Sequence, residues 1–87
     1  MWRFRVTTEA RDSIVHLDST VRRRVLEKLA WFKDHVDDVV PVPLAASMRG
    51  YFKLRVGDWR IVYSADVGTH TIVIHLVDRR DQIYKSK

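Results

Sequence analysis

Hydrophobic and polar positions change rhythm along this chain. At the start, Trp2, Phe4 and Val6 alternate with Arg3 and Arg5, a period of two that predicts a strand. Thr7 or Thr8 then offers a helix cap. Glu9 falls in the first turn, where a carboxylate meets the positive end of the helix dipole. Ala10, Ile14 and Leu17 recur at helical spacing. Asp18-Ser19 is a second start signal. After it, Val21, Val25, Leu29, Phe32 and Val36 return every three or four residues, the single apolar stripe of an amphipathic helix. Arg22, Arg23 and Arg24 project away from much of that stripe and read as a solvated face. The two helices are expected to form a hairpin. Asp37 to Ala46 holds both prolines, Pro41 and Pro43, and reads as a loop.

The second half returns to a period of two. Phe52, Leu54 and Val56 alternate with Tyr51, Lys53 and Arg55, and Gly57-Asp58 is a two-residue hairpin signal. With those two as the loop, Val56 opposes Trp59, Arg55 opposes Arg60, Leu54 opposes Ile61 and Lys53 opposes Val62. Opposed residues share a face. One face then reads Phe52, Leu54, Val56, Trp59, Ile61, Tyr63. The other reads Tyr51, Lys53, Arg55, Arg60, Val62, Ser64. After a looser turn over Asp66 to Thr69, Ile72, Ile74 and Leu76 are expected on the core side of a last strand, with Thr71, Val73 and His75 on the open side. Asp78 to Lys87 reads as a polar tail. The order β-α-α-β-β-β predicts an α+β fold, with a helical hairpin on one face of a small, mostly antiparallel sheet. The 87 residues are expected to form one domain over 1–87.

Composition narrows the chemistry. Sixteen Lys and Arg against eleven Asp and Glu give a formal charge of +5 and a pI near 10.0. That balance points to an anionic partner: nucleic acid, an acidic protein or a membrane surface. Without cysteine there is no disulfide and no thiolate metal site. No run of 18 apolar residues is present, so no membrane-spanning helix is expected. With no signal-peptide core at its start, the chain is expected in the cytoplasm. His16, His35, His70 and His75 have no metal-binding spacing, and neither metal nor cofactor is expected.

The hairpin register supplies the sharpest inference. Lys53, Arg55 and Arg60 share one face, and like charges placed opposite each other cost stability. A site for an anion offsets that cost. His75 joins the same face, Tyr51 stands beside it, and Arg79, Arg80 and Tyr84 follow the last strand. Cations that hold phosphates, with a tyrosine able to stack on a base, are what single-stranded RNA recognition needs.

The run Met48-Arg49-Gly50-Tyr51-Phe52-Lys53-Leu54-Arg55-Val56-Gly57-Asp58-Trp59-Arg60-Ile61-Val62-Tyr63 resembles the central signature of the RelE/ParE toxin superfamily. In that family a strand with a K-L-R-type triplet turns into one beginning G-x-[YW]-R-[ILV]-x-Y. The end, Arg79-Arg80-Asp81-Gln82-Ile83-Tyr84, resembles its R-x-x-x-Y close. The resemblance implies a toxin of a type II toxin–antitoxin system, of the sort tied to plasmid stabilization. It implies a ribosome-dependent mRNA interferase: an endoribonuclease in which a ribose 2′-hydroxyl attacks the adjacent phosphate without a metal. On that resemblance the catalytic residues are Lys53, as base or base-positioning group, Arg60 on the phosphate, Arg80 near the leaving oxygen, and Tyr84 on the nucleotide. Tyr51, Arg55, Arg79 and His75 complete the RNA-binding face, and the Arg22–Arg24 run is a secondary candidate for ribosomal RNA phosphates.

The chain departs from the pattern at two places. A second lysine found in some family nucleases is Tyr51 here, and an arginine six residues before the final tyrosine is Asp78. These departures keep open the family's other branch, which inhibits DNA gyrase by binding. A further alternative is a non-catalytic relic that only binds its antitoxin. The partners implied are a cognate antitoxin (RelB-like, acidic and partly disordered, with exposed apolar surface such as Trp31 to receive it), the ribosome and mRNA, or gyrase.

Overall fold

The computed structural model describes residues 1–79. Strand β1 (Arg3–Val6) leads into helices α1 (Thr8–Val15) and α2 (Ser19–His35). Strands β2 (Val42–Pro43), β3 (Phe52–Val56), β4 (Trp59–Asp66) and β5 (Thr71–Arg79) follow. The sheet order is β1-β5-β4-β3-β2. β1 runs parallel to β5, because the helical hairpin carries the chain across, and every other pairing is antiparallel. This is the expected α+β arrangement, with one strand added.

Both helix starts are capped by side chains. The Thr7 hydroxyl accepts from the Ala10 N–H at 3.1 Å, and the Asp18 carboxylate accepts from the Val21 N–H at 3.0 Å. Each cap stabilises by about 1 kcal/mol. Arg22 turns back toward the joint between the helices. Its Nη1 donates to the carbonyls of Val15 and Leu17 at 3.2 and 3.0 Å, filling acceptors that the end of α1 leaves open. This arginine is therefore part of the hairpin's construction rather than only a solvated cation.

The core lies between the helices and one sheet face. Ala10, Ile14, Leu17, Val25 and Phe32 pack on Leu54, Ile61, Tyr63, Ile72, Ile74 and Val77. Phe32 sits edge-on to Phe4 and Tyr63, with ring centroids 5.6 and 4.9 Å away, a geometry that aligns ring edges with ring faces. Ser13 fastens α1 to β5. Its hydroxyl accepts from the Val77 N–H at 3.1 Å and donates to the Ala10 carbonyl at 2.8 Å. Beyond Ile74, where β1 pairing ends, a side chain thus replaces the missing strand partner.

The hairpin register is the one expected: Val56 opposes Trp59, Arg55 opposes Arg60, Leu54 opposes Ile61 and Lys53 opposes Val62. Gly57 takes a φ of 58° while Asp58 keeps a negative one. That is the pattern of a type II′ turn, which needs glycine first.

Three expectations change. Asp37–Ala46 is not only loop, since it holds part of a 3-10 turn (Val36–Asp38) and the edge strand β2, where Val42 pairs with Lys53 and Pro43 with Phe52. Proline is tolerated at a sheet edge, and it blunts that edge against further pairing. Strand β5 also runs on through Asp78 to Arg79, into the segment expected as tail. Finally, β4–β5 pairing slips between Val62 and Tyr63: Val62 opposes Leu76 and Tyr63 opposes Ile74, which leaves His75 as an extra residue. A bulge of this kind inverts the phase of the strand after it. Leu76, expected in the main core, moves to the far face, and Val77 takes its place under the helices.

Candidate functional site

The face turned away from the helices carries the cations. Lys53, Arg55 and Arg60 line a hollow of about 300 Å³ whose other wall includes Val39, Val40 and Val42. The β2 edge brings that apolar wall alongside Lys53, so the cations border low-dielectric surface, where an anion is held more strongly than in open water.

Arg55 and Arg60 stand opposite each other, and one acceptor reconciles them. The Gly57 carbonyl takes a bond from Arg60 Nη1 at 3.1 Å and from Arg55 Nε at 3.4 Å. Arg60 Nη1 also donates to the Trp59 carbonyl at 3.0 Å. The hairpin turn thus screens the repulsion and fixes both guanidinium groups at its base. Each guanidinium has five N–H donors, so donors remain for a ligand.

The face is not continuously polar. Val62 is only 4 % exposed because Leu44, itself 3 % exposed, folds over it together with Met48 and Leu76. This small second core divides the face. On its far side lie Ser64, His75 and Tyr51. His75 Nε2 is 2.7 Å from Ser64 Oγ, and the Tyr51 ring meets the imidazole edge-on at 5.0 Å. Burial lowers the imidazole's affinity for a proton below its usual value, and the Glu9 carboxylate partly opposes that shift. His75 therefore keeps the open side expected of it. Ser64 was legible as a face residue but not as its partner, because the contact depends on the bulge.

Asp78 opposes Arg60 on the cationic face. Arg79 does not reach that face. It pairs with Trp59, and its guanidinium lies 6.0 Å from the Trp59 ring on the helix side of the sheet. The expectation that Arg79 joins Lys53 and Arg60 is corrected by the bulge, which reversed the strand's phase ahead of it. Arg80 and Tyr84 lie outside the described residues. Among the described residues, no group of three or more His, Asp or Glu is arranged to hold a metal ion. No described helix is long and apolar enough to cross a membrane.

A second hollow, about 480 Å³, lies between α2 and the hairpin turn, lined by Arg24, Glu27, Lys28, Trp31, Arg55 and Gly57 among others. Trp31 is 41 % exposed, with Lys28 Nζ 4.4 Å over its ring.

Residues 4–84 match the sequence model of a family described as the ParE toxin of the type II toxin–antitoxin system parDE. No curated protein matches the chain. Among solved structures, it is similar to the RelBE2 toxin–antitoxin complex of Mycobacterium tuberculosis. That match has 30 % identity and a TM-score of 0.78, and covers 91 % of this chain and 98 % of that one. The isolated E. coli RelE toxin aligns at 18 % identity and a TM-score of 0.74, covering 98 % and 93 %. A chain of the chromosomal ParDE system of P. aeruginosa aligns at 14 % and 0.69, covering 91 % and 96 %. These last two likenesses concern the fold.

Proposed function

We propose that this chain, which belongs to the RelE/ParE superfamily of type II toxin–antitoxin toxins, is an mRNA endoribonuclease acting at the ribosome. The observation that carries this reading is the hollow in which Lys53, Arg55 and Arg60 converge beside an apolar wall. In the reaction, the ribose 2′-hydroxyl attacks the adjacent phosphorus. The O2′–P bond forms, the P–O5′ bond breaks, and a cyclic phosphate and a free 5′-hydroxyl result. Negative charge gathers on the phosphoryl oxygens in the transition state, and fixed cations stabilise it most where water is excluded. Arg60 takes that role, Lys53 acts by resemblance as the base that takes the 2′-hydroxyl proton or as the group that positions it, and Arg55 holds a neighbouring phosphate. By resemblance, Arg80 serves the leaving oxygen and Tyr84 the nucleotide. Tyr51 and His75 contact the RNA at the other end of the face.

The test is to incubate the purified chain with mRNA-programmed ribosomes and map new 5′ ends. Cleavage within the ribosome-bound codon supports the reading, and intact message under growth arrest sinks it.

Gyrase inhibition by binding is the second reading. Asp78, opposite Arg60, favours it, because a carboxylate there weakens a phosphate site. A supercoiling assay separates the two. A non-catalytic relic would be inert in both assays and harmless on induction.

The partner proposed for the toxin is an acidic, partly disordered antitoxin. The M. tuberculosis relative was solved as a toxin–antitoxin complex, and the cation-rimmed hollow at Trp31 suits such a segment. The whole chain is read as one toxin domain working in the cytoplasm.

A further inference from the structure

The small second core of Leu44, Met48, Val62 and Leu76 stands between two parts of the open sheet face. One part is the cationic hollow of Lys53, Arg55 and Arg60. The other part has a cation of its own. Phe4 packs on Phe32 in the core under the helices, so alternation along β1 turns Arg3 and Arg5 to the open face. Both are exposed, and neither guanidinium has a hydrogen bond or ion pair among the described residues.

The register sets Arg5 in a row across the sheet. It pairs with Val73 on β5, and Val73 pairs with Ser64 on β4. Ser64 Oγ lies 2.7 Å from His75 Nε2, and the Tyr51 ring meets the imidazole at 70° with centroids 5.0 Å apart. A cation thus borders a half-buried floor of Val73, Ser64 and His75, closed by an aromatic ring. The two rings form a corner in which a flat base can stack on one of them, a contact that tolerates any base. Arg3 is placed differently, because its row continues through Thr71 to Asp66, whose carboxylate opposes an anion. No carboxylate stands in the row of Arg5. Glu9, from α1, acts on the imidazole, so an anion is favoured on the β1 side, at Arg5. Arg5 lies two strands from β4 and level with Ser64, four residues from Arg60. It is therefore about 13 Å from Arg60 along the strands and about 10 Å across them. One phosphate cannot meet both arginines, but phosphates a few nucleotides apart on one strand can.

We infer that Arg5, Tyr51 and His75 form a second nucleotide subsite, remote from the bond that is cut. Arg5 holds the phosphate and the two rings hold the base. The inference rests on the ribonuclease reading for its ligand, single-stranded RNA. The subsite takes no part in making or breaking the bond. It extends the grip on the strand to the far side of Leu44 and Met48, and so fixes which phosphate lies over the cationic hollow.

The experiment uses the full chain with fluorescein-labelled oligouridylates, a trimer and a nonamer, and reads binding by anisotropy across a salt series. The nonamer can span both parts of the face, whereas the trimer settles in the more cationic hollow. Arg5→Gln should weaken the nonamer about fivefold, as for one lost charge contact near the surface, and the trimer hardly at all. It should also flatten the nonamer's salt slope by about 0.7, the share of one phosphate on a single strand. Arg5→Lys should keep the slope. Tyr51→Ala should weaken the nonamer about tenfold through lost stacking and leave the slope unchanged. Arg11→Gln, an equal loss of charge on the exposed side of α1, should bind as the wild type does. Nonamer binding that is indifferent to Arg5→Gln or to Tyr51→Ala overturns the inference. So does an equal loss in Arg11→Gln, which would mark net charge alone, and so does a wild type that binds the nonamer no better than the trimer. Cleavage of ribosome-bound message is scored separately. Binding that depends on Arg5 in a chain that cuts no message upholds the subsite and brings down the ribonuclease reading. A cleaving wild type beside an indifferent Arg5→Gln brings down only the subsite.

Discussion

Arg60 and Asp78 stand directly opposite each other on β4 and β5, on the face that carries Lys53 and Arg55. The carboxylate opposes any anion bound at Arg60. Replacing it, as Asp78→Asn, should tighten binding of a single-stranded RNA oligomer about fivefold at low salt, since a unit charge at this range acts with roughly 1 kcal/mol in water-like surroundings. Fluorescence anisotropy across a salt series measures it. Unchanged affinity would place the RNA elsewhere.

The cationic hollow makes a second prediction. Lys53→Ala and Arg60→Ala should each slow cleavage by about a hundredfold or more, in the range found when one donor to transition-state charge is removed. Arg60→Ala also gives up its bonds to the Gly57 and Trp59 carbonyls, so stability should fall by about 1 kcal/mol, much less than the loss of cleavage. Equal loss of cleavage and stability would argue against a catalytic role.

At the centre of the core, Phe32 is 1 % exposed between Phe4 and Tyr63. Phe32→Ala should cost about 3–5 kcal/mol, a large share of the 5–15 kcal/mol typical of a domain. Urea titration followed by tryptophan fluorescence reads the loss.

Two ionisations should bracket stability against pH. Burial raises the Tyr63 phenol above its usual value near 10.0. The unfolded chain therefore loses that proton first, and the stability, full below about pH 10, declines as pH rises through the phenol's range. Tyr63→Phe should weaken that decline. His75 works in the opposite direction, because its folded value is depressed. Its contribution is full above the usual imidazole value and is lost as pH falls through it. His75→Gln should flatten the acidic side. Unfolding midpoints from pH 5 to 11 test both limbs.

The hollow at Trp31 predicts the antitoxin's footprint. Trp31→Ala together with Lys28→Glu should weaken antitoxin binding at least tenfold, measured by calorimetry on the purified pair. The same double variant should leave RNA cleavage intact, since neither side chain lines the hollow of Lys53 and Arg60.

Local pattern alone determined much of this protein. The periods of two and 3.6, the caps at Thr7 and Asp18 and the Gly57-Asp58 turn specify the helices, the hairpin and its register. In that register a one-residue slip would turn an apolar face into water. The cationic triplet Lys53, Arg55 and Arg60 follows from the same counting. Tertiary structure decided the rest. The bulge at His75 falls just past Ile74, where β5 leaves β1, and before Val77, whose N–H bonds to Ser13, and no strand's own alternation records such a change of partner. That one inserted residue moved Leu76 out of the main core, sent Arg79 to the Trp59 side and set His75 against Ser64. The fold of Leu44 and Met48 over Val62 was equally hidden, because it joins segments distant along the chain whose meeting depends on how β2 lies against β3.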